Sequence, residues 1–339
     1  MNANFFYLKK LFFFLLLFVQ VFILVAQENR YAYSMQKMGS PFNLVIYADT
    51  KQIADSAAQE SFKLVDSINI VCSDYDSSAE LYKLQFAAVG KPIKVSSMLM
   101  ELLCTSSQAY KDADGSFDIT VGPLSRLWRN ARKSQIFPTA TAINEARKSI
   151  GFNKVQLDSN AQKITFLQPN MQLDMGAIAK GYAADKVLAL LKSFGITNAL
   201  VDAGGDMVAF GMPPQKKGWT IGINVPGQQE KLLERKLVLS NKAVATSGDA
   251  FQFMLHEGIK YGHIIDPRTG YGVTFQRNVT VVAPTATTAD WLATACSILT
   301  LEQVKILAKK YKSEVLVTTL QNGRIHKVSF GKFDGYLAQ

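Results

Sequence analysis

Hydrophobic and polar positions divide the chain into strand-like and helix-like stretches. Phe42 to Tyr47 (FNLVIY) predicts a strand. From Lys51 to Ile68 the apolar positions Ile53, Ala57, Val65 and Ile68 share one helical face, with Asp49 and Thr50 placed to cap it. Met98 to Asp112 predicts a second helix and Ala142 to Ile150 a short third. After Gly176 the positions Ala183, Val187, Leu190 and Leu191 form an apolar stripe that Gly195 ends. Asn198 to Phe210 then reads as two strands broken at Gly204-Gly205. Further strands are expected at Trp219 to Val225, Lys236 to Ser240, Gln252 to Leu255 and Asn278 to Val282. The stretch TTADWLATACSIL predicts a helix with Trp291, Leu292, Ala295, Ile298 and Leu299 facing inward. Asn322-Gly323, between Glu314 to Thr318 and Arg324 to Phe330, is a strong hairpin signal. Helices alternate with antiparallel-looking strand groups, and neither a tandem repeat nor a low-complexity linker appears. The expected class is α+β: one intertwined unit over 30–339, with mixed or antiparallel sheets flanked by helices.

The N-terminus differs from the rest. Lys9 and Lys10 precede the apolar run Leu11 to Ala26, which contains no acid. A basic flank and a short apolar core read as a secretory signal over 1–26. The run is shorter than the ~20 residues of a spanning helix, although Phe5 to Leu8 could extend it into an uncleaved anchor. Ala26 offers a cleavage point despite Leu24, and no cysteine follows as lipoprotein processing would need. The expectation is an exported protein, periplasmic or on the outer face of the inner membrane, with peripheral membrane association open to it. A net charge of +10 favours anionic ligands or lipid surfaces. The basic residues are scattered, which argues against a nucleic-acid partner. Cys72, Cys104 and Cys296 are too few for a disulfide framework and lack zinc spacing, so buried thiols are expected.

Three segments carry candidate chemistry. Gly176 to Gly181 opens a helix, where backbone amides and the helix dipole suit an anion and Lys180 adds a charge. Neither a Walker loop nor a dinucleotide fingerprint is present, and taken alone this segment is better explained as a tight turn into an ordinary helix. Asp290 and Thr294 lie four apart on one predicted helix face, a carboxylate and a hydroxyl suited to a hard cation such as Mg²⁺. Alone, they read more simply as a first-turn acid and a core-edge residue. His263 precedes Asp266-Pro267-Arg268-Thr269-Gly270, a turn that could hold it as a base or phosphate donor, although a lone histidine is more often structural. Phe117 beside Asp118 could present an exposed ring and a polar edge to a planar ligand, or could be a buried loop anchor. Tyr75 in SDYDSSAEL is either a stacking ring or a surface tyrosine.

Taken in order, these segments resemble the ApbE family of FAD:protein FMN transferases. The matching stretches are Met38-Gly39, SDYDSSAEL, SFDITVGPL, LDMGAIAKGYAAD, DAGGD (Asp202 to Asp206), ATSGD (Ala245 to Asp249), HIIDPRTG and ADWLATA. They span nearly all of the mature chain. The chain departs from the family pattern at Ser40, Ala79, Gln85 and Asp202.

The resemblance implies an exported or membrane-associated enzyme that uses FAD and Mg²⁺. It implies transfer of the FMN half of FAD to a Thr or Ser hydroxyl of a flavoprotein, through a phosphoester, with release of AMP. The implied metal ligands are Asp290, Thr294 and the Ala177 carbonyl. The implied FAD contacts are Met38, Tyr75, Ser116, Phe117, Asp118, Asp174, Lys180, His263 and Ile264. Lys180 and the cation would offset pyrophosphate charge. His263 is the first candidate for the base and Asp174 the next. The implied acceptor is a subunit of a membrane redox complex, of quinone-reductase or Rnf type, or another exported flavoprotein. Two other outcomes fit the same residues: Mg²⁺-dependent hydrolysis of FAD to FMN and AMP, and a non-catalytic exported FAD carrier.

Overall fold

Alternation along the inner strands of an eight-stranded sheet gives it two buried faces. In the computed structural model the described residues are 29–224, 233–248, 253–321 and 323–338. The predicted signal segment, Asp249, Gln252 and Asn322 fall outside them. The main sheet comprises β1 (Asn29–Lys37), β2 (Ser40–Ala48), β3 (Asn198–Ala203), β4 (Asp206–Phe210), β5 (Lys242–Gly248), β6 (Arg277–Ala283), β7 (Glu314–Gln321) and β8 (Arg324–Phe330). Their order in the sheet is their order in the chain, and every neighbouring pair is antiparallel. The sheet is therefore a meander whose long connections carry the other elements.

Successive residues point to opposite faces. Ala243, Ala245, Val279, Val281, Val315 and Val317 enter the principal core, while Val244, Val282 and Leu316 enter a second one. The helices are α1 (Lys51–Cys72), α2 (Glu80–Leu84), α3 (Ser97–Asp112), α4 (Gly122–Ser134), α5 (Ala140–Lys148), α6 (Ala179–Ser193), α7 (Ala286–Ile298) and α8 (Leu301–Lys310), and all but α4 and α5 pack into the principal core. The first six lie between β2 and β3, and α7 and α8 lie between β6 and β7. On the other face, the short antiparallel pair Trp219–Ile221 and Leu237–Leu239 packs with Phe333. A third core gathers Leu124, Trp128, Ile143 and Met254 beneath α4 and α5.

Side-chain caps fix where the helices begin. Thr50 accepts from the Ile53 amide at 3.3 Å, as expected, and Ser96 accepts from Leu99 at 3.2 Å. Thr300 and Gln303 form a reciprocal capping box at α8. The predicted α+β class holds. Three expectations are corrected: Ile53 is exposed rather than inward, Cys104 is exposed while Cys72 and Cys296 are buried, and the strand expected from Trp219 ends at Ile221. No described helix is long and apolar enough to cross a membrane.

Candidate active site

One end of the meander collects the matching segments. The β1–β2 turn contains Met38 and Gly39, both at positive φ (49° and 76°). Beside it lies the β3–β4 turn, where a Cβ added to Gly204 would come within 2.7 Å of Ser40 Cβ. Asn43 donates to Asp202 at 3.0 Å, and Asp202 accepts from the Gly205 amide at 2.7 Å. Asp206, at the start of β4, is 4% exposed and forms a short ion pair with Lys180.

Lys180 is in the first turn of α6, facing α7. Helices α6 and α7 cross closely because residue 181 is glycine. A Cβ there would lie 2.7 Å from the Ala286 carbonyl carbon and 2.8 Å from Asp290 Cβ. The close approach lets Asp290 accept the Gly181 amide at 3.0 Å. Gly181 is in the first turn of α6, where backbone amides have no intrahelical acceptor, and the carboxylate supplies one. Ala177 precedes the N-cap Ile178, so its carbonyl lies outside the helical ladder at the start of α6. Asp185 clamps the other end of the crossing, accepting the Ala286 and Thr287 amides at 2.8 Å each. Thr294 follows Asp290 by one turn and is half-buried.

The electrostatics of this cluster follow from burial. Asp290 is 6% exposed. Burial, reinforced by Asp206, pushes its carboxyl up to about 8, against the pull of Lys180 and the Gly181 amide. Burial alone would lower the Lys180 ammonium, but Asp206, Asp290 and Asp202 together hold it above its ordinary value. Among the described residues no three His, Cys, Asp or Glu side chains converge as a metal site. A cation here would have to draw on carbonyl and hydroxyl oxygens beside Asp290. The oxygens of Asp290, Thr294 and Ala177 fit a hard cation in their chemistry.

A second cluster lies around Asp174. It accepts from the Gly176 amide at 2.8 Å and from Arg129 at 2.8 Å, and its own amide donates to the Ile119 carbonyl at 2.7 Å. Arg129 also reaches Asp74 at 2.6 Å, and its guanidinium carbon stands 4.3 Å from the centre of the Tyr75 ring. Tyr75 is 73% exposed. The segment Ser116 to Asp118 is buried rather than open. Ser116 Oγ donates to Ala113, and the Phe117 ring packs on Trp291 at 5.7 Å. Of the two readings of Phe117, the structure shows the buried loop anchor, with its ring packed in the core against Trp291. Asp118 accepts the Thr120 amide and hydroxyl at 2.8 and 2.7 Å, and burial pushes its carboxyl up to about 6.

The turn after His263 is fixed from several sides. Ile264 is buried and its carbonyl accepts the Val273 amide at 2.9 Å. Asp266 organises the turn, binding both the amide and the guanidinium of Arg268 at 2.9 Å. Buried Trp128 donates Nε1 to the Gly270 carbonyl at 2.8 Å, and Arg147 makes a short bond to the Arg268 carbonyl. The Arg268 stem passes over Gly115, next to Ser116.

Sequence reasoning missed two groups. Asp206 was visible only as the last letter of DAGGD, and its pairing with Lys180 needed the fold. Asp74 stood in SDYDSSAEL without a role assigned to it, and Arg129 carried no signal beyond Arg126, Arg129 and Arg132 recurring at every third position of a helix that was not predicted.

Comparison with known proteins agrees with this geometry. The sequence model of the ApbE family matches residues 38–317. The FAD:protein FMN transferase of Haemophilus influenzae is 30% identical over 307 residues, covering 87% of this chain and 88% of that protein. That of Treponema pallidum is 32% identical over 273 residues, covering 76% and 75%. The apo structure of the Pseudomonas stutzeri flavinyl transferase ApbE superposes with a TM-score of 0.80 at 26% identity, over 91% of this chain and 97% of that one. The flavin transferase ApbE from Vibrio cholerae gives 0.80 at 25% identity, over 91% and 99%. With a match spanning strand β2 to strand β7 and relatives alike along nearly their whole length, this chain belongs to the ApbE family.

Proposed function

We propose that this chain is a flavin transferase that moves the FMN half of FAD to a Thr or Ser hydroxyl of an acceptor flavoprotein and releases AMP, with Mg²⁺ held by Asp290, Thr294 and the Ala177 carbonyl. The observation that carries the reading is the α6–α7 crossing. Asp290 takes the Gly181 amide at 3.0 Å, which sets a buried carboxyl against the first turn of α6, the turn that follows Ala177 in the chain. A carboxyl buried beside Lys180 and Asp206 costs more than an apolar residue would in a crossing that only packs. When bound there, the cation supplies positive charge to the pyrophosphate.

The chain's own residues account for the rest. Lys180, kept charged by Asp206, Asp290 and Asp202, adds a fixed cation at a helix start, where the backbone dipole already favours an anion. Tyr75 offers a ring to the flavin. His263 takes the proton from the acceptor hydroxyl, whose oxygen bonds to the FMN phosphorus as the bond to the AMP oxygen breaks. AMP leaves as an anion and needs little acid assistance. Asp174 is a weaker base candidate than His263, because Arg129 and the Gly176 amide already occupy its carboxylate. The Lys9-led apolar segment supports an exported acceptor, such as a flavoprotein subunit of a membrane redox complex of quinone-reductase or Rnf type.

The test is mass spectrometry of a candidate exported flavoprotein after incubation with the mature chain, FAD and Mg²⁺. The expected result is an added FMN-phosphoryl mass on one Thr or Ser, dependent on Mg²⁺ and lost in Asp290→Asn. Free FMN and AMP with every offered acceptor unmodified would replace transfer by hydrolysis. Intact FAD throughout would leave a carrier.

A further inference from the structure

Arg129 has no part in the chemistry described above, yet it joins two of its components. It leaves α4 with its side chain 26% exposed, and one nitrogen, Nη2, donates to Asp74 at 2.6 Å and to Asp174 at 2.8 Å. The same guanidinium lies 4.3 Å from the centre of the Tyr75 ring. One cation thus ties the segment after α1, which carries Tyr75, to the segment before α6, which carries Asp174.

This is not an ordinary surface ion pair. The two carboxylates are only 21% and 16% exposed. Burial and then the neighbouring Asp174 push the Asp74 carboxyl up, and Arg129 pulls it back. Without Arg129, two half-buried acids would face each other unneutralised. Tyr75 is still 73% exposed with the guanidinium over one ring face, so the opposite face is open.

We infer that Arg129 is a positioning residue for the flavin ring: it holds Tyr75 as a fixed platform with one face free and links that platform to Asp174 before substrate arrives. The inference rests on the flavin-transfer reading and adds to it the group that sets the ring's platform. A tyrosine on an untied loop would lose conformational freedom on stacking, and Arg129 removes that cost ahead of binding.

The test is FAD binding followed by flavin fluorescence, with transfer kinetics, for the unaltered chain, Arg129→Gln, Arg129→Lys, Tyr75→Ala and the Arg129→Gln/Tyr75→Ala double variant. Arg129→Gln is expected to weaken FAD affinity by about tenfold with kcat at saturating FAD little changed. Arg129→Lys keeps the charge but not the planar fork and recovers only part of the loss. Tyr75→Ala is expected to cost less in the Arg129→Gln background than alone. Unchanged FAD affinity in Arg129→Gln, or losses that simply multiply in the double variant, would overturn the inference. Should Arg129→Gln fail to fold, Arg129→Lys decides, and affinity equal to the unaltered chain's overturns it. No FAD binding by the unaltered chain would instead overturn the flavin reading, and the inference with it.

Discussion

Gly181→Ala sets two physical rules against each other. In a helix, alanine is favoured over glycine by up to about 1 kcal/mol, so helix propensity alone predicts a more stable protein. The crossing predicts the reverse. The new Cβ would fall 2.7 Å from the Ala286 carbonyl carbon and 2.8 Å from Asp290 Cβ, with the Ala286 oxygen closer still. Backbone sits on one side and the root of a fully packed aspartate on the other, so neither can rotate away. Helices α6 and α7 must separate, an overpacking cost of about 1–3 kcal/mol. Separation also lengthens the bond from the Gly181 amide to Asp290, now 3.0 Å, and a typical hydrogen bond contributes about 0.5–1.5 kcal/mol. Offset by the propensity gain, the net expectation is a destabilisation of about 1–3 kcal/mol, measured by urea unfolding with an unchanged m-value. Flavin transfer should fall as well, because the same shift moves Asp290 away from the first turn of α6 and from Lys180. A variant that unfolds at higher urea than the unaltered chain would refute the close-crossing argument.

Three further expectations concern other parts of the site. Trp128→Phe removes the donor to Gly270, now at 2.8 Å, and should cost about 1–3 kcal/mol and slow transfer through the loosened His263 turn; unfolding and kcat together check this, and no change in either rejects it. Asp118 has its carboxyl pushed from 3.8 up to about 6 by burial, so its contribution to stability is fully present below the unfolded value and is lost as pH rises through about 6. Asp118→Asn should therefore gain about 3 kcal/mol on the unaltered chain between about pH 4 and pH 7, and a gap that stays constant across urea unfolding at these pH values would contradict the burial argument. Mg²⁺ should raise the unfolding temperature of the unaltered chain and leave that of Asp290→Asn unmoved; equal shifts in the two would remove Asp290 from the cation site.

Much of the fold is legible in local pattern, and the omissions have physical causes. The β7–β8 hairpin follows from an Asn-Gly turn between apolar runs, and α1 and α7 follow from their apolar spacing. Strand β1 (NRYAYSMQK) was not legible, because an edge strand with one covered face offers few buried positions: none of its nine residues is fully buried. Helix α4 begins Gly-Pro, which reads as a turn, and its buried Leu124 and Trp128 are interleaved with Arg126, Arg129 and Arg132. Helix α8 was readable from Thr300 and Gln303, a capping-box pair, but its short apolar face of Val304, Leu307 and Ala308 makes a weak stripe.

The site divides along the same line. Asp290, Thr294, Lys180 and Asp174 stand in segments whose order along the chain is itself informative, so they could be named before any contact was known. The interactions that set their state are long-range. Lys180 meets Asp206 across 26 residues, Asp290 meets the Gly181 amide across 109, and Arg129 meets Asp174 and Asp74 across 45 and 55. Periodicity reports neighbours three or four residues away and carries nothing about these. What makes them possible is the meander: sequential strands place the β1–β2 and β3–β4 turns side by side at one end of the sheet, and the α6–α7 crossing brings Lys180 within reach of both Asp206 and Asp290. A glycine at 181 is then required by the distance between two helices, and its place at the start of a helix, which looked like a simple turn signal in the sequence, is the condition for the carboxylate beside it.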